Sequence, residues 1–246
     1  MKVIAIIPAA GLGTRMASPP SAKAAKPLPS KQFTELGGTP ILVHTLRKFA
    51  AAPEVTEIVV ALRSNEIEGF QNRLREEAKD LPPNKIRLVE GGEHRQNSVA
   101  NALAAISASD NDIILVHDAV RPFVTVEIIR DVIRAAEKYG AAIAGWPAVD
   151  TVKLVERTAE GAVITATVPR EKVVMAQTPQ GFRYVILNKA FNEAITAGFI
   201  GTDEAALVER SEHPVAVVMG SPRNIKITTP ADMDLAEFYL NLESRA

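Results

Sequence analysis

Short apolar, β-branched runs alternate with longer amphipathic stretches along this chain, and that rhythm leaves few folds open. Residues 3–7, 57–62, 86–90, 112–117, 141–147 and 215–219 read as strands. Residues 40–51, 65–79, 95–108, 125–139, 183–197, 203–210 and 230–242 carry helical patterning. Strands of this length separated by helices form βαβ units, and their near-continuous apolar character marks a sheet covered on both faces. The prediction is an α/β fold with a doubly wound, mostly parallel sheet that binds ligands at the carboxyl ends of its strands.

Two segments interrupt the rhythm. Residues 17–30, ASPPSAKAAKPLPS, are rich in Pro, Ala, Ser and Lys and read as a loop. Residues 150–170 read as a β-hairpin: TVKLVERT, a turn at AEG, then AVITATVPR. A hairpin inserted among βα units projects from the body and is expected to contact another subunit. No repeat, linker or shift in composition divides the chain, so residues 1–246 are expected to form a single domain.

Composition removes several functions. The chain has no cysteine, which excludes disulfide scaffolds, zinc–cysteine clusters, iron–sulfur sites and thiol nucleophiles. The formal net charge of -1 argues against non-specific nucleic-acid binding. No run of about 18 apolar residues suggests a membrane span, and the opening MKVIAIIPAAG lacks the pattern of a secretory leader. The expectation is a cytoplasmic protein acting on a small molecule, with neither nucleic acid nor membrane as partner.

The chemistry begins after the first strand, at IIPAAGLGTRM. Small residues at Ala9, Ala10, Gly11 and Gly13 let backbone N–H groups approach an anion, and Arg15 adds a bidentate guanidinium. Met16 occupies the third glycine position of the dinucleotide fingerprint, and no Gly-Lys-[Ser/Thr] of a P-loop follows. A bare Gly-x-Gly is equally a tight turn. Arg15 and the lysines Lys23, Lys26 and Lys31 tip the reading towards a triphosphate. Lys31, just before a Leu-Gly-Gly turn and the next helix, is the strongest of the three lysines; Lys23 and Lys26 read as solvated loop residues.

These residues resemble a known family. PAAGLGTRM followed by KQF is similar to the opening signature of the 2-C-methyl-D-erythritol 4-phosphate cytidylyltransferases. GGEHRQNSV at 91–99, VHDAVRPF at 116–123, VDTVK at 149–153, QTPQ at 177–180, TDEA at 202–205 and NIKIT at 224–228 follow in order across the chain. The resemblance implies a Rossmann-like nucleotidyltransferase fold. It implies that a cytidylyl group passes from CTP to a sugar-alcohol phosphate, with release of pyrophosphate, in the non-mevalonate route to isoprenoids. The attacking phosphate oxygen is already an anion, so such a site needs cations and positioning more than a base.

Residue by residue, the resemblance implies that Arg15, Lys31 and Lys226 act on the phosphates, with Ala9, Ala10, Gly11 and Gly13 cradling the triphosphate. It implies a nucleoside site at Gly91, Gly92, Glu93 and Ser98, and acceptor contacts from Arg121, Thr151, Arg170, Thr178 and Thr202. Mg²⁺ is the implied metal, on Asp118. Arg170 is implied to reach the site from the other subunit of a homodimer joined through the 150–170 arm. Two positions depart from the family: Glu93 stands where Asp is common, and Pro169 stands where an acidic residue is common before Arg170.

Read from the chain alone, Lys226 is a strand-end lysine, Asp118 a strand-end cap, and Glu93 or Ser98 a helix cap. Arg95 reads as neutralising neighbouring acids, and Asp203 as a helix cap, where the resemblance implies a contact to an acceptor hydroxyl instead. The four histidines show no metal-ligand spacing, and His117 reads as a packed strand residue. Trp146 and the phenylalanines read as core. The rival readings are a ribitol 5-phosphate cytidylyltransferase, a nucleotidyltransferase for sugar 1-phosphates, and a nucleotide-binding protein without catalysis.

Overall fold

In a computed structural model of the chain, residues 1–11 and 30–244 are described. Gly13, Arg15, Lys23, Lys26 and most of the 17–30 segment lie outside the described residues. The elements run β1 (Val3–Pro8), β2 (Glu35–Leu36), β3 (Thr39–Pro40), α1 (Ile41–Ala51), β4 (Glu57–Leu62), α2 (Ser64–Glu77), β5 (Ile86–Glu90) and α3 (Arg95–Ala105). They continue β6 (Ile113–Val116), α4 (Val126–Tyr139), β7 (Ala141–Pro147), β8 (Val152–Thr158), β9 (Gly161–Val168), β10 (Val174–Arg183), α5 (Tyr184–Thr196), α6 (Glu204–Arg210), β11 (Ala216–Met219) and α7 (Pro230–Glu243).

The central sheet has the order β11-β7-β10-β6-β1-β4-β5. All its pairings are parallel except those of β10, which runs antiparallel to both β6 and β7. Strand β1 explains the layering. Val3, Ala5 and Ile7 face one side, packed with α1 and α4 residues such as Leu46, Phe49 and Ile129. Ile4 and Ile6 face the other, packed with Val99 of α3, Phe191 of α5 and Val208 of α6. A strand buried on both faces needs an unbroken apolar run. Helix α4 needs only one apolar face. It starts where the Thr125 hydroxyl accepts from the Ile128 N–H and ends at Gly140, whose φ of 87° suits the left-handed closing turn.

The chain leaves β1 to build β4 and β5 on one side, then crosses back to place β6 on the other. The crevice at this switch, beyond the carboxyl ends of β1 and β6, is where such sheets bind ligands. The 150–170 segment forms the expected hairpin of β8 and β9, paired with each other and outside the central sheet.

Strand β10 is the element that sequence patterning does not reveal. Its centre, Gln177-Thr-Pro-Gln-Gly181, is polar and contains a proline, which argues against a central strand. Pairing with β7 shifts register between Ala176 and Gln180, so Pro179 falls where the ladder is already interrupted. Running against its neighbours, β10 enters at their carboxyl ends and so brings QTPQ to the crevice. Trp146, expected in the core, is only half-buried near the end of β7.

Phe182 fixes the far end of β10, fully buried and paired with Ile114 of β6 and Ala141 of β7. Phe182→Ala should lower stability by about 3–5 kcal/mol in urea unfolding. A loss under about 1 kcal/mol would mean that β10 is not locked into the sheet as described.

Candidate active site

The carboxyl end of β6 leads directly to His117 and Asp118. Asp118 Oδ1 accepts from Arg95 Nε at 3.2 Å, while Oδ2 accepts from Arg121 Nε at 3.1 Å and lies 3.0 Å from Lys226 Nζ. Three cations from separate segments thus converge on one carboxylate whose side chain is 8% exposed. Burial by itself would raise the Asp118 carboxyl, but Arg95, Lys226 and Arg121 outweigh it and hold the group well below the usual carboxylate range.

A chain of hydrogen bonds lies beneath. The Asp118 N–H donates to Thr178 Oγ1 at 3.1 Å, and that hydroxyl donates to His117 Nδ1 at 3.0 Å. His117 Nε2–H donates in turn to the Arg121 carbonyl at 3.0 Å. One ring nitrogen accepts and the other donates, which is the pattern of a neutral imidazole. Burial lowers its pKa to about 4. Asn224, fully buried, ties the opposite wall together: its Nδ2 donates to the Thr178 carbonyl at 2.8 Å, and its carbonyl accepts from Arg121 Nη1 at 2.7 Å.

Two lobes meet at this cluster. One, about 210 Å³, is lined by Ala9, Ala10, Gly11, Lys31, Ser98 and Thr228. The other, about 150 Å³, is lined by Arg121, Gln177, Thr178, Gln180, Thr202 and Asp203. Arg95, Asp118 and Lys226 line both. Lys31 Nζ donates to the Thr228 carbonyl at 2.8 Å, and Thr228 is held by the carboxylate of Asp232 at the start of α7. The Ile227 N–H donates to the Val120 carbonyl at 2.9 Å, so the NIK segment is fastened beside Asp118.

The structure therefore brings together Ala9, Ala10, Gly11, Lys31, Ser98, Asp118, Arg121, Thr178, Thr202 and Lys226. Gly91 stands behind this group: a Cβ there would lie 2.6 Å from Ala10 Cβ and 3.0 Å from Ser98 Oγ. A Cβ at Gly92 would collide with Asn97. Both glycines are thus required by the chain's own packing. Glu93 is exposed and lines neither lobe. The cap of α3 is His94, paired reciprocally with Asn97, and not Glu93 or Ser98. Ser98 lies one turn into the helix, where its buried hydroxyl accepts from the Gly92 N–H at 3.1 Å.

Thr151 and Arg170 line neither lobe; both are exposed at the base of the hairpin, where Arg170 Nη1 donates to the Val149 carbonyl at 3.1 Å. Asp203 caps α6 through the Ala206 N–H and accepts from Gln180 Nε2. Sequence reasoning gave no site role to Gln177, Gln180, Asn224 or Glu204. The QTPQ motif was the available signal for the two glutamines.

Asp118 carries three of the contacts a carboxylate can accept, and among the described residues no cluster of three acids or histidines surrounds it. That donor set fits a divalent cation arriving on a polyphosphate, which brings its own oxygens, better than one caged by protein alone.

A doubly wound sheet with a cationic, two-lobed crevice at its switch point defines a phosphate-handling α/β protein of the nucleotidyltransferase class. The IspD family, 2-C-methyl-D-erythritol 4-phosphate cytidylyltransferase, matches residues 3–242. The chain belongs to that family. It is 56% identical over 244 residues to the 2-C-methyl-D-erythritol 4-phosphate cytidylyltransferase of Acidobacterium capsulatum, covering 99% of each chain. The Solibacter usitatus protein of the same name is 52% identical, covering 99% of this chain and 98% of its own. Among solved structures, the Anaerococcus prevotii 4-diphosphocytidyl-2C-methyl-D-erythritol synthase superposes with a TM-score of 0.80 at 30% identity, covering 98% of this chain and 96% of that one. The Francisella tularensis 2-C-methyl-D-erythritol 4-phosphate cytidylyltransferase gives 0.79 at 34%, covering 97% and 99%.

His117 makes the site's foundation sensitive to acid. An imidazole with a folded pKa near 4 against an ordinary 6.5 takes up its proton preferentially in the unfolded chain, so stability falls as pH drops through that window. Glu204, raised by burial, shifts with the opposite sign. Unfolding free energies of wild type and His117→Asn at pH 7 and pH 5 separate the two effects. The wild type should lose about 2 kcal/mol more than the variant between these pH values. Equal losses would mean that His117 is not buried in the neutral form.

Proposed function

We propose that the protein transfers a cytidylyl group from CTP to 2-C-methyl-D-erythritol 4-phosphate, forming 4-diphosphocytidyl-2-C-methyl-D-erythritol and pyrophosphate in the non-mevalonate isoprenoid route. The observation that carries this reading is the pair of lobes sharing Arg95, Asp118 and Lys226 as their common wall. A nucleotide in one lobe and a phosphorylated acceptor in the other would meet there.

An acceptor phosphate oxygen attacks the α-phosphorus of CTP in line. The new P–O bond forms as the bond to the β-phosphate oxygen breaks, and pyrophosphate leaves with that electron pair. The nucleophile is an anion, so the residues supply position and positive charge. Ala9, Ala10, Gly11, Gly13, Arg15 and Lys31 hold the triphosphate, and Lys226 meets charge growing on the α-phosphate. Ser98 stands on the nucleoside side, with Gly91 and Gly92 packed behind it and Glu93 exposed outside the lobe; Arg121, Thr178 and Thr202 hold the acceptor. Asp118 would hold Mg²⁺ together with the triphosphate, and the ion would offset charge on the phosphate oxygens.

Residues 1–246 act as one domain in a cytoplasmic homodimer. Supporting the dimer, Leu154, Val155, Val163 and Ile164 on the hairpin are each at least 50% exposed within one chain, an apolar surface suited to a second copy. Thr151 and Arg170 at its base then complete the acceptor side of the neighbouring subunit's site.

A pyrophosphate-release assay tests the reaction: turnover with CTP and 2-C-methyl-D-erythritol 4-phosphate, and little with ribitol 5-phosphate or other nucleoside triphosphates. Preference for ribitol 5-phosphate would replace the acceptor. Lys226→Ala should cut kcat by roughly 10²-fold while changing the CTP dissociation constant by a small factor. An unchanged kcat would remove Lys226 from the mechanism. Mixing Arg170→Ala with Lys31→Ala subunits should recover part of the activity that neither variant has alone. Heterodimers that form without recovery would assign each site to a single chain.

A further inference from the structure

Arg95 is held by two carboxylates that leave part of its guanidinium unbonded. Its Nε donates to Asp118 Oδ1 at 3.2 Å, and Nη1 donates to both oxygens of Glu204 at 2.7 and 2.8 Å. Nη2 has no protein partner among the described residues, although Arg95 lines both lobes of the crevice. The guanidinium is planar, so fixing two of its nitrogens fixes the direction of the third. Two carboxylates on adjoining sides therefore aim a free N–H pair at the wall the lobes share.

Glu204 is placed to do this and nothing else at the site. It is 1% exposed, lines neither lobe, and among the described residues its side-chain hydrogen bonds go to Arg95 alone. It stands at the first position of α6, held by the Asp203 cap, and Asp203 in turn accepts from Gln180 at 2.8 Å. The anchor is thus tied to β10 and to the wall of the acceptor lobe. Arg95, Arg121 and Lys226 against Asp118 and Glu204 leave one positive charge in surplus.

We propose that Arg95 is a further catalytic cation, contacting the transferring phosphate through Nη2, and that Glu204 is the positioning residue that aims it. The proposal rests on the two-lobe reading of the function. Asp118 alone leaves Arg95 free to swing about one contact; Glu204 supplies the second. The alternative is that Glu204 only neutralises charge. The two accounts predict opposite results for Glu204→Gln, which makes the site more positive. Neutralisation predicts tighter CTP binding with kcat retained. Positioning predicts a loss of kcat with CTP binding little changed.

The experiment compares wild type, Arg95→Lys, Glu204→Gln and the double variant, with folding followed by circular dichroism and thermal unfolding. Steady-state kinetics use CTP and 2-C-methyl-D-erythritol 4-phosphate. Lysine keeps the charge but lacks the fork, so Arg95→Lys should lower kcat about 10²-fold. Glu204→Gln should lower it about tenfold, with KM for CTP within about threefold of wild type. The double variant should be no slower than Arg95→Lys, because Glu204 acts only through Arg95. Either folded single variant keeping kcat within about twofold, or losses that multiply, overturns the proposal. If Glu204→Gln does not fold, Glu204→Asp replaces it: the charge stays, the shorter side chain draws Arg95 back, and an unchanged kcat again overturns the proposal. A wild type inactive on this pair of substrates would instead overturn the functional reading.

Discussion

One buried carboxylate organises the functional end of this molecule. Asp118 is inaccessible enough that isolation would force it to protonate, yet three cations from α3, the segment after β6 and the NIK segment keep it ionised. Removing the carboxylate would leave three cations facing one another, a change of the kind that costs about 3–5 kcal/mol when one partner of a buried pair is lost. The cluster is therefore less a device for stability than a means of storing positive charge in fixed positions. A polyanion entering the crevice meets cations already oriented by one carboxylate.

The sheet makes that arrangement possible. Parallel strands deliver Ala9–Gly11, Gly91 and Asp118 to the same edge, the first and last from the ends of buried runs and Gly91 from the partly exposed edge strand β5. Strand β10 is the exception that completes the site, because an antiparallel neighbour crosses the carboxyl edge in its first half. Thr178 can then bond both the Asp118 N–H and His117, and Asn224 can reach its carbonyl. Asn224 Nδ2 also donates to Gln177 Oε1 at 3.2 Å, so the same strand is held at two adjacent residues.

Alternation of apolar and amphipathic segments revealed the parallel strands and every long helix, because those elements are governed by burial patterns that sequence displays directly. β10 escapes because Gln177, Thr178 and Gln180 face the crevice, Pro179 sits where the ladder is interrupted, and Gly181 makes room for Val132 and Leu115. The hairpin is legible through its turn and β-branched residues, but the exposure of Leu154, Val155, Val163 and Ile164 is visible only in the structure. Arg95 was read as neutralising nearby acids, and it does bridge Asp118 and Glu204. What the sequence does not display is which acids it meets, since Asp118 is 23 residues away and Glu204 is 109. Glu93 and Ser98 offer side-chain acceptors near the start of α3, but the cap falls to His94, paired with Asn97, because the helix begins at Arg95.

The formal charge of -1 hides this organisation, because acids distributed over the surface balance cations gathered in the crevice. Proton bookkeeping inside the crevice is equally quiet. Asp118 is held ionised, His117 is held neutral, and the carboxylates of Glu204 and Asp118 make Arg95 hold its proton more tightly still. A site for general acid–base catalysis would need a group poised to exchange its proton near neutrality. Here the environment pushes the carboxylate and the imidazole away from that range in opposite chemical senses. Such a constellation is suited to a reaction whose nucleophile arrives already deprotonated, and in which the protein's task is to hold charge still while a phosphorus centre changes partners.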